Sequence, residues 1–286
     1  MGLASVDPVG LSWASVPFRV VFASVRGAGM NSTAGVPEID ITGVTKQYGN
    51  SQLVLESIDL AVAKQEFISI IGPSGCGKST ILKLIAGLTF PTSGTIRVDG
   101  MTPLNARETI SFVFQDATLL PWRTVKQNIG LGLELEHVPN ERREKEIAAL
   151  LDLVGLKNVA RSYPRELSGG MKMRVSIARA LATNPRLMLL DEPFAALDEM
   201  SRDRLNEEIL RLRVEQKWTA VFVTHSVSEA VFLSDRIVVL APNPGRIHAE
   251  FRVELPSPRT SAIRNSPEFD ALAARVSHTL RETLRQ

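Results

Sequence analysis

The sequence predicts an α/β fold with an antiparallel β subdomain and an inserted α-helical subdomain, and three observations predict it. The apolar run at residues 67–71, the glycine-rich stretch at 72–77 and the helically spaced segment 81–86 make a strand–loop–helix unit. Two more continuous apolar runs, at 187–190 and 220–224, read as strands covered on both faces. Between the first unit and these runs, from about residue 116 to 182, strand patterns vanish and amphipathic helices take over.

Taken in order, residues 1–36 are rich in Ala, Ser, Val and Gly. They lack a basic leading stretch and carry Asp7 early, which argues against a secretion signal, and Val6 stands where a myristoylation pattern needs Ser or Thr. The expectation is a disordered leader or an over-extended start with Met30 as the initiator. A membrane-surface anchor around Phe18, Val20 and Phe22 is the competing reading. Residues 39–44 then alternate as a strand, 46–50 read as a turn, and 54–63 form a second strand hairpinned with the first. Gly87 and the segment 91–94 break the helix that follows the glycine loop, and 95–100 supply a strand and turn. A short apolar strand at 110–114 ends at Gln115.

Within the insertion, Asn140 is expected to cap a helix bearing Ile147, Leu150, Leu151 and Val154, stopped by Gly155. Ser168 is expected to cap another, running from Gly170 to Pro185. The α/β frame resumes at 187–190. A helix over 200–218 places Leu205, Ile209 and Leu212 on one face and the pair Glu207/Arg211 outside. Strands at 220–224, 235–240 and 246–253 complete the sheet, with a turn at 241–245. Ser266 and Pro267 start a last helix with Phe269, Leu272, Val276, Leu280 and Leu284 on one face, expected to pack on its own domain.

Bulk properties narrow the function. A chain of 286 residues has ample length for a core, and its 44% hydrophobic and 22% charged content is ordinary for a globular protein. A net charge of +2 supplies no basic field, so nucleic acid is not expected as a partner. One cysteine, Cys76, excludes a disulfide framework, argues against a zinc cluster and fits a reducing cytoplasm. No uninterrupted apolar stretch approaches the roughly 18 residues that a membrane span needs.

The chemistry begins at Gly72, Pro73, Ser74, Gly75, Cys76, Gly77, Lys78, Ser79 and Thr80, which spell G-x-x-x-x-G-K-S between strand and helix and predict a P-loop NTPase. Glycines at 72, 75 and 77 let backbone N–H groups turn inward around a polyphosphate, beside the positive end of the following helix. Lys78 supplies an ammonium for the outer phosphates and Ser79 a hydroxyl ligand for Mg2+. Asp191 and Glu192 close the strand at 187–190. Adjacent carboxylates repel, so a purely structural role explains them poorly. Asp191 can hold the Mg2+ shell and Glu192 can polarise a water for attack on the γ-phosphate.

Leu167, Ser168, Gly169, Gly170 and Met171 stand before a helix with Arg174 and Arg179, just upstream of Asp191 and Glu192. With these residues in place, residues 37–255 resemble the ATP-binding subunits of ABC transporters. On its own chemistry, Ser168 with two glycines at a helix N-terminus is a second anion-binding surface. The resemblance implies that this surface completes the site of another protomer, so that two ATP molecules are sandwiched in a head-to-tail dimer. It further implies that Tyr48 stacks on adenine and that Gln115 touches Mg2+ and the attacking water and senses a membrane partner. It also implies that Asp198 lies in a loop crossing the dimer interface and that His225 contacts the γ-phosphate. His137, His248 and His278 are read as structural. Met171 departs from the Gln of many members, and Met173 is a further departure.

Ser168-Gly-Gly-Met171, the stretch 114–125 and the turn 242–247 look like the nitrate/sulfonate/taurine/bicarbonate importer branch. The resemblance then implies an ABC ATPase core at 37–255, with its helical subdomain at about 116–182 and a C-terminal helical extension at 256–286. It implies an ATP-hydrolysing importer subunit, peripheral at the cytoplasmic face of the inner membrane, with ATP and Mg2+ as cofactors. The partners implied are a second copy, an integral membrane permease docking between Leu119 and Val125 and, indirectly, a periplasmic solute-binding protein. Two alternatives stay open at this point. One is a soluble ABC-type ATPase outside transport, although such proteins usually carry two cassettes or a long coiled-coil insertion. The other is a silent nucleotide sensor, although it would be expected to lack Glu192 or His225. Trp122 is either part of the docking surface or a core residue of the insertion.

Overall fold

The computed structural model describes residues 36–49, 53–257 and 259–284. The expectations for the leader, including Met30 and the anchor around Phe18, lie outside the described residues. Two sheets carry the fold. The smaller has the order β2-β1-β4, in which β1 (Ile39–Gln47) pairs antiparallel with both β2 (Leu53–Val62) and β4 (Ser93–Val98). The larger has the order β5-β6-β7-β3-β8-β9. Its strands β3 (Phe67–Ile71), β5 (Ile110–Val113), β6 (Leu187–Asp191), β7 (Thr219–Val223) and β8 (Arg236–Ala241) run parallel, and β9 (Arg246–Arg252) closes the edge antiparallel.

The continuous apolar runs are central strands because both of their faces are covered. Every residue of β3, β6 and β7 is buried. Their side chains alternate between two cores, as a period of two requires. Ile68, Ile70, Leu187, Leu189, Val221 and Val223 pack with the small sheet and with α1 (Lys78–Ile85). Phe67, Ile71, Met188, Leu190, Ala220 and Phe222 face the other way, into a core shared with the helices.

After α1 come the short α2 (Pro103–Ala106), α3 (Val125–Ile129) and α4 (Leu131–Leu135), then α5 (Asn140–Leu153) and α6 (Gly169–Ala182). The inserted helices α3 to α6 hold no strand between them, as the loss of alternation predicts. A Thr124/Gln127 capping box starts α3. The buried Asn128 side chain ties the preceding loop down, donating to the carbonyls of Leu120, Arg123 and Thr124 and accepting from the Leu120 N–H. Beyond β6 lie α7 (Glu199–Gln216), α8 (Val227–Leu233) and α9 (Pro267–Thr283). Ser266 caps α9, whose Phe269, Leu272 and Val276 are buried against α8 and β8.

Several local expectations are corrected. Residues 46 and 47 belong to β1, because their backbones pair with Leu55 and Leu53 of β2 while the buried Lys46 ammonium donates to the Phe90 carbonyl at 2.6 Å; the described turn of that stretch is confined to Gly49. Pro139, not Asn140, occupies the N-cap of α5. Helix α6 starts at Gly169 and ends at Ala182, short of Pro185. Helix α7 ends at Gln216, because Lys217 takes a left-handed conformation, and Trp218 is buried beyond it. Arg211 pairs with Glu208 and Glu215, whereas Glu207 accepts the Ser261 N–H. Leu284 is 65% exposed and does not extend the buried face of α9.

Candidate active site

Parallel strands place the loops after their carboxyl ends on one side of a sheet, and ligands bind there where the chain reverses direction. Gly72–Gly77 follows β3, Gln115 follows β5, Asp191 ends β6 with Glu192 next, and His225 follows β7. Four neighbouring strands therefore bring the predicted residues to one edge.

The phosphate loop is built by close approach. Gly77 has φ +96 and Gly75 has φ +79, the left-handed region that glycine tolerates. A Cβ at Gly77 would lie 2.4 Å from Leu55 Cδ2, and one at Gly72 would lie 2.7 Å from Cys76 Sγ. Cys76 is buried beneath the loop and Ser74 is exposed above it. Lys78 is buried, with its ammonium donating to the carbonyls of Gly72 at 2.9 Å and Pro73 at 2.8 Å. Those carbonyls hold the cation beside the backbone N–H groups of the loop.

Ser79 and Asp191 meet across the sheet, with Ser79 Oγ donating to Asp191 Oδ1 at 2.9 Å. Burial pushes the Asp191 carboxyl above its ordinary range, helped by the neighbouring Glu192 charge and opposed by the Ser79 hydrogen bond and two lysines. Among the described residues no group of three or more His, Cys, Asp or Glu side chains could hold a metal. The Ser79 hydroxyl beside a single carboxylate is the kind of oxygen donor set that suits Mg2+, which is commonly held by one or two side chains together with substrate phosphates and water. Ser79 and Asp191 would hold it, with Thr80 next in line on α1.

Glu192 sits beyond Asp191 at φ +48, with its N–H bound to the Val223 carbonyl at 2.9 Å. Its Oε2 faces two partners, Gln115 Nε2 at 3.5 Å and His225 Nδ1 at 3.4 Å. One carboxylate oxygen thus gathers Gln115 and His225, which come from chain positions 77 and 33 residues away.

The second predicted surface lies at α6. Ser168 caps the helix by accepting the Met171 N–H at 3.3 Å. A Cβ on Gly169 would meet nothing within 4 Å, whereas one on Gly170 would lie 3.0 Å from the Ala196 carbonyl. Gly170 therefore packs against the loop leading to Asp198, which caps α7 through the Ser201 N–H at 2.9 Å and has its carboxyl held low by that bond. Among the described residues no hydrogen bond or ion pair joins Ser168 to the phosphate loop. Tyr48 is half-exposed at the end of β1, with the Lys46 ammonium 4.6 Å from its ring centroid.

Sequence reasoning missed the supports. Gly245 presses on the phosphate loop, since a Cβ there would come 2.1 Å from the Cys76 carbonyl. Thr224, the residue before His225, donates to the buried Glu229, which in turn pairs with Arg202. A Glu three residues after Ser226 is a capping-box spacing, the one signal that could have marked Glu229. In the apolar segment after Gln115, Val125 is buried and the partly buried Leu119 packs on the core, whereas Pro121 is exposed and Trp122, 71% exposed, is not a core residue.

The sequence model of the family described as ABC transporter matches residues 55–195. The nitrate import ATP-binding protein of Synechocystis sp. is 43% identical over 237 residues, covering 81% of this chain and 89% of that protein. The aliphatic sulfonates import ATP-binding protein of Bacillus subtilis is 41% identical over 237 residues, covering 83% and 91%. Among solved structures, an ATP-binding cassette captured as a dimer in a post-hydrolysis state with ADP and Pi aligns with a TM-score of 0.70 and 33% identity. That alignment covers 76% of this chain and 99% of the cassette. With the glycine loop, the paired carboxylates and the α6 surface all on the fold of that cassette, the chain belongs to the ABC transporter family as an ATP-hydrolysing, ATP-binding subunit.

Proposed function

We propose that this chain is the motor subunit of an importer for a small anionic solute such as nitrate, a sulfonate, taurine or bicarbonate. The observation that carries the site assignment is the convergence of Gln115 and His225 on one oxygen of Glu192, beside the Ser79–Asp191 pair. The relatives named for nitrate and sulfonate import support the transport role over a soluble, non-transport ATPase.

The working sequence follows from charge. The loop of Gly72, Pro73, Ser74, Gly75, Cys76, Gly77, Lys78, Ser79 and Thr80 takes the polyphosphate, and Tyr48 stacks on adenine. Ser79, Asp191 and Gln115 would hold Mg2+, which would supply positive charge against the phosphate oxygens. Glu192 accepts the proton of the attacking water, and Gln115 and His225 orient water and γ-phosphate around it. Ser168, Gly169 and Gly170 of a second copy close over the γ-phosphate, with Asp198 at the seam, so each site is complete only in a head-to-tail dimer. Residues 37–255 form the ATP-binding domain, with its helical subdomain at about 116–182, and residues 256–286 a C-terminal helical extension.

Trp122, exposed on the loop whose Leu120 and Arg123 backbone groups bond Asn128, is the anchor for a cytoplasmic segment of an integral membrane permease. Among the described residues no helix is long and apolar enough to cross a membrane. Docking on that permease makes the subunit peripheral at the cytoplasmic face of the inner membrane. A periplasmic binding protein delivers the solute to the permease.

The test is Glu192→Gln. The variant is expected to bind ATP, to accumulate a stable dimer by size-exclusion chromatography and to lose hydrolysis by about a hundredfold or more. Hydrolysis at the wild-type rate would remove Glu192 from the role of base. Co-purification with a multi-span permease tests the transport assignment separately.

A further inference from the structure

His225 is held only loosely by its own side chain. The imidazole is 68% exposed and its contact with Glu192 is 3.4 Å long. Its backbone, by contrast, is fixed on both sides. The Thr224 hydroxyl donates to Glu229 Oε2 at 2.5 Å and accepts the Ser226 N–H at 3.0 Å. Ser226 Oγ in turn accepts the Glu229 N–H at 3.3 Å. The two residues flanking His225 therefore belong to one small ring of hydrogen bonds that closes on a buried carboxylate.

That carboxylate also reaches the other proposed loop. Glu229 Oε1 lies 3.5 Å from Arg202 Nε, and Arg202 Nη2 donates to the Leu197 carbonyl at 3.0 Å, directly before Asp198. A buried carboxyl is costly to retain, and burial pushes the Glu229 carboxyl above its ordinary range. An apolar residue would fill the start of α8 at less cost, so its placement next to a reacting group calls for a role there.

We infer that Glu229 is a positioning residue for His225: through the Thr224 hydroxyl it sets the backbone that aims the imidazole, and through Arg202 it ties that aim to the segment before Asp198. The inference rests on His225 acting at the γ-phosphate as proposed above. Misplacement of a group by about 1 Å can cost on the order of a hundredfold in rate without changing how tightly the substrate is held.

The experiment is steady-state MgATP hydrolysis by the full chain, with folding checked by circular dichroism. Glu229→Ala and Thr224→Val are each expected to lower kcat by about tenfold to a hundredfold with KM for ATP unchanged within about twofold. Thr224→Ser keeps the hydroxyl and is expected near the wild-type rate, whereas Glu229→Gln keeps the acceptor for Thr224 but loses the charge facing Arg202 and is expected between Glu229→Ala and wild type. Added to His225→Ala, Glu229→Ala is expected to cause no further loss. The inference is overturned if Glu229→Ala turns over normally while His225→Ala does not, or if Glu229→Ala lowers the rate equally with and without His225. If His225→Ala itself keeps full kcat, the γ-phosphate role of His225 is wrong and the positioning role falls with it.

Discussion

Ser79 Oγ and Asp191 Oδ1 lie 2.9 Å apart, joining the first turn of α1 to the tip of β6 across the intervening β7. A hydroxyl and a single buried carboxylate would fill two of the roughly six positions of a Mg2+ shell, leaving the others to nucleotide phosphates, water and further side chains. Asp191→Asn keeps the shape and removes the charge. It is expected to leave metal-free ATP binding unchanged, to abolish the gain in affinity that Mg2+ gives the wild type, and to cut hydrolysis at least about a hundredfold. Titrating nucleotide with and without Mg2+ checks this, and a Mg2+-dependent gain surviving in the variant would place the metal elsewhere.

Gly169 and Gly170 stand side by side but differ in their surroundings. A methyl on Gly169 meets open space, whereas one on Gly170 runs into the Ala196 carbonyl at 3.0 Å. Replacing glycine by alanine early in a helix without a clash stabilises by up to about 1 kcal/mol. Gly169→Ala is therefore expected to fold at least as stably as wild type and to bind ATP as a monomer. Combined with Glu192→Gln, it is expected to block the ATP-dependent dimer, because the methyl occupies the approach of the partner's phosphate. Gly170→Ala is expected to lower the melting temperature instead. A normal dimer from Gly169→Ala would show that the α6 surface does not close on a second copy.

The sequence was most legible where the cause is local. The strand at Phe67–Ile71, the glycine loop and the Ser168 cap each follow from neighbours within a few residues. Long-range partners were not legible. Lys46 read as a turn residue because nothing nearby announces that its ammonium ends on Phe90, 44 residues away. Arg211 had three glutamates within reach, and Glu207 was taken by Ser261, which the helical pattern does not show. Helix α8 escaped because its seven residues are too few to display a period, and it is nearly all apolar on a buried site. Gln115, Glu192 and His225 were each picked out along the chain, but their meeting at one oxygen depends on β5, β6 and β7 being neighbours.

Glu229 also sets a pH dependence. Burial raises its carboxyl above the ordinary value of 4.5, outweighing the Thr224 hydrogen bond and the positive groups that face it, Arg202, His225 and Arg264. A carboxyl with a raised folded-state pKa contributes stability that is fully present below about pH 4.5 and lost as pH rises through the raised value. Glu229→Gln removes the ionisation. The variant is therefore expected to melt higher than wild type at pH 7, with the gap closing on acidification. Melting curves between pH 4 and pH 8 test this, and a constant gap, or a lower melting temperature at neutral pH, would show that the Arg202 pair outweighs the cost of burial.

Arg259 caps the other end of α8. Its Nη1 donates to the carbonyls of Ser234 at 2.7 Å, Phe232 at 3.0 Å and, more weakly, Val231 at 3.4 Å. A seven-residue helix ends with carbonyls that have no partner of their own, and a cation at that end satisfies them and meets the negative pole of the helix. Arg259 also brings the segment before α9 onto the helix that follows His225, so the C-terminal residues brace the site without touching it. Arg259→Ala is expected to cost about 1–3 kcal/mol in urea unfolding and to speed amide hydrogen exchange across residues 227–234. Arg259→Lys keeps the charge but not the guanidinium fork and is expected to fall between the two. ATP affinity should not move in either variant, because no residue of the phosphate loop contacts Arg259 among the described hydrogen bonds. If exchange across α8 stays at the wild-type rate in Arg259→Ala, the helix is held by its apolar face alone and the cap contributes nothing.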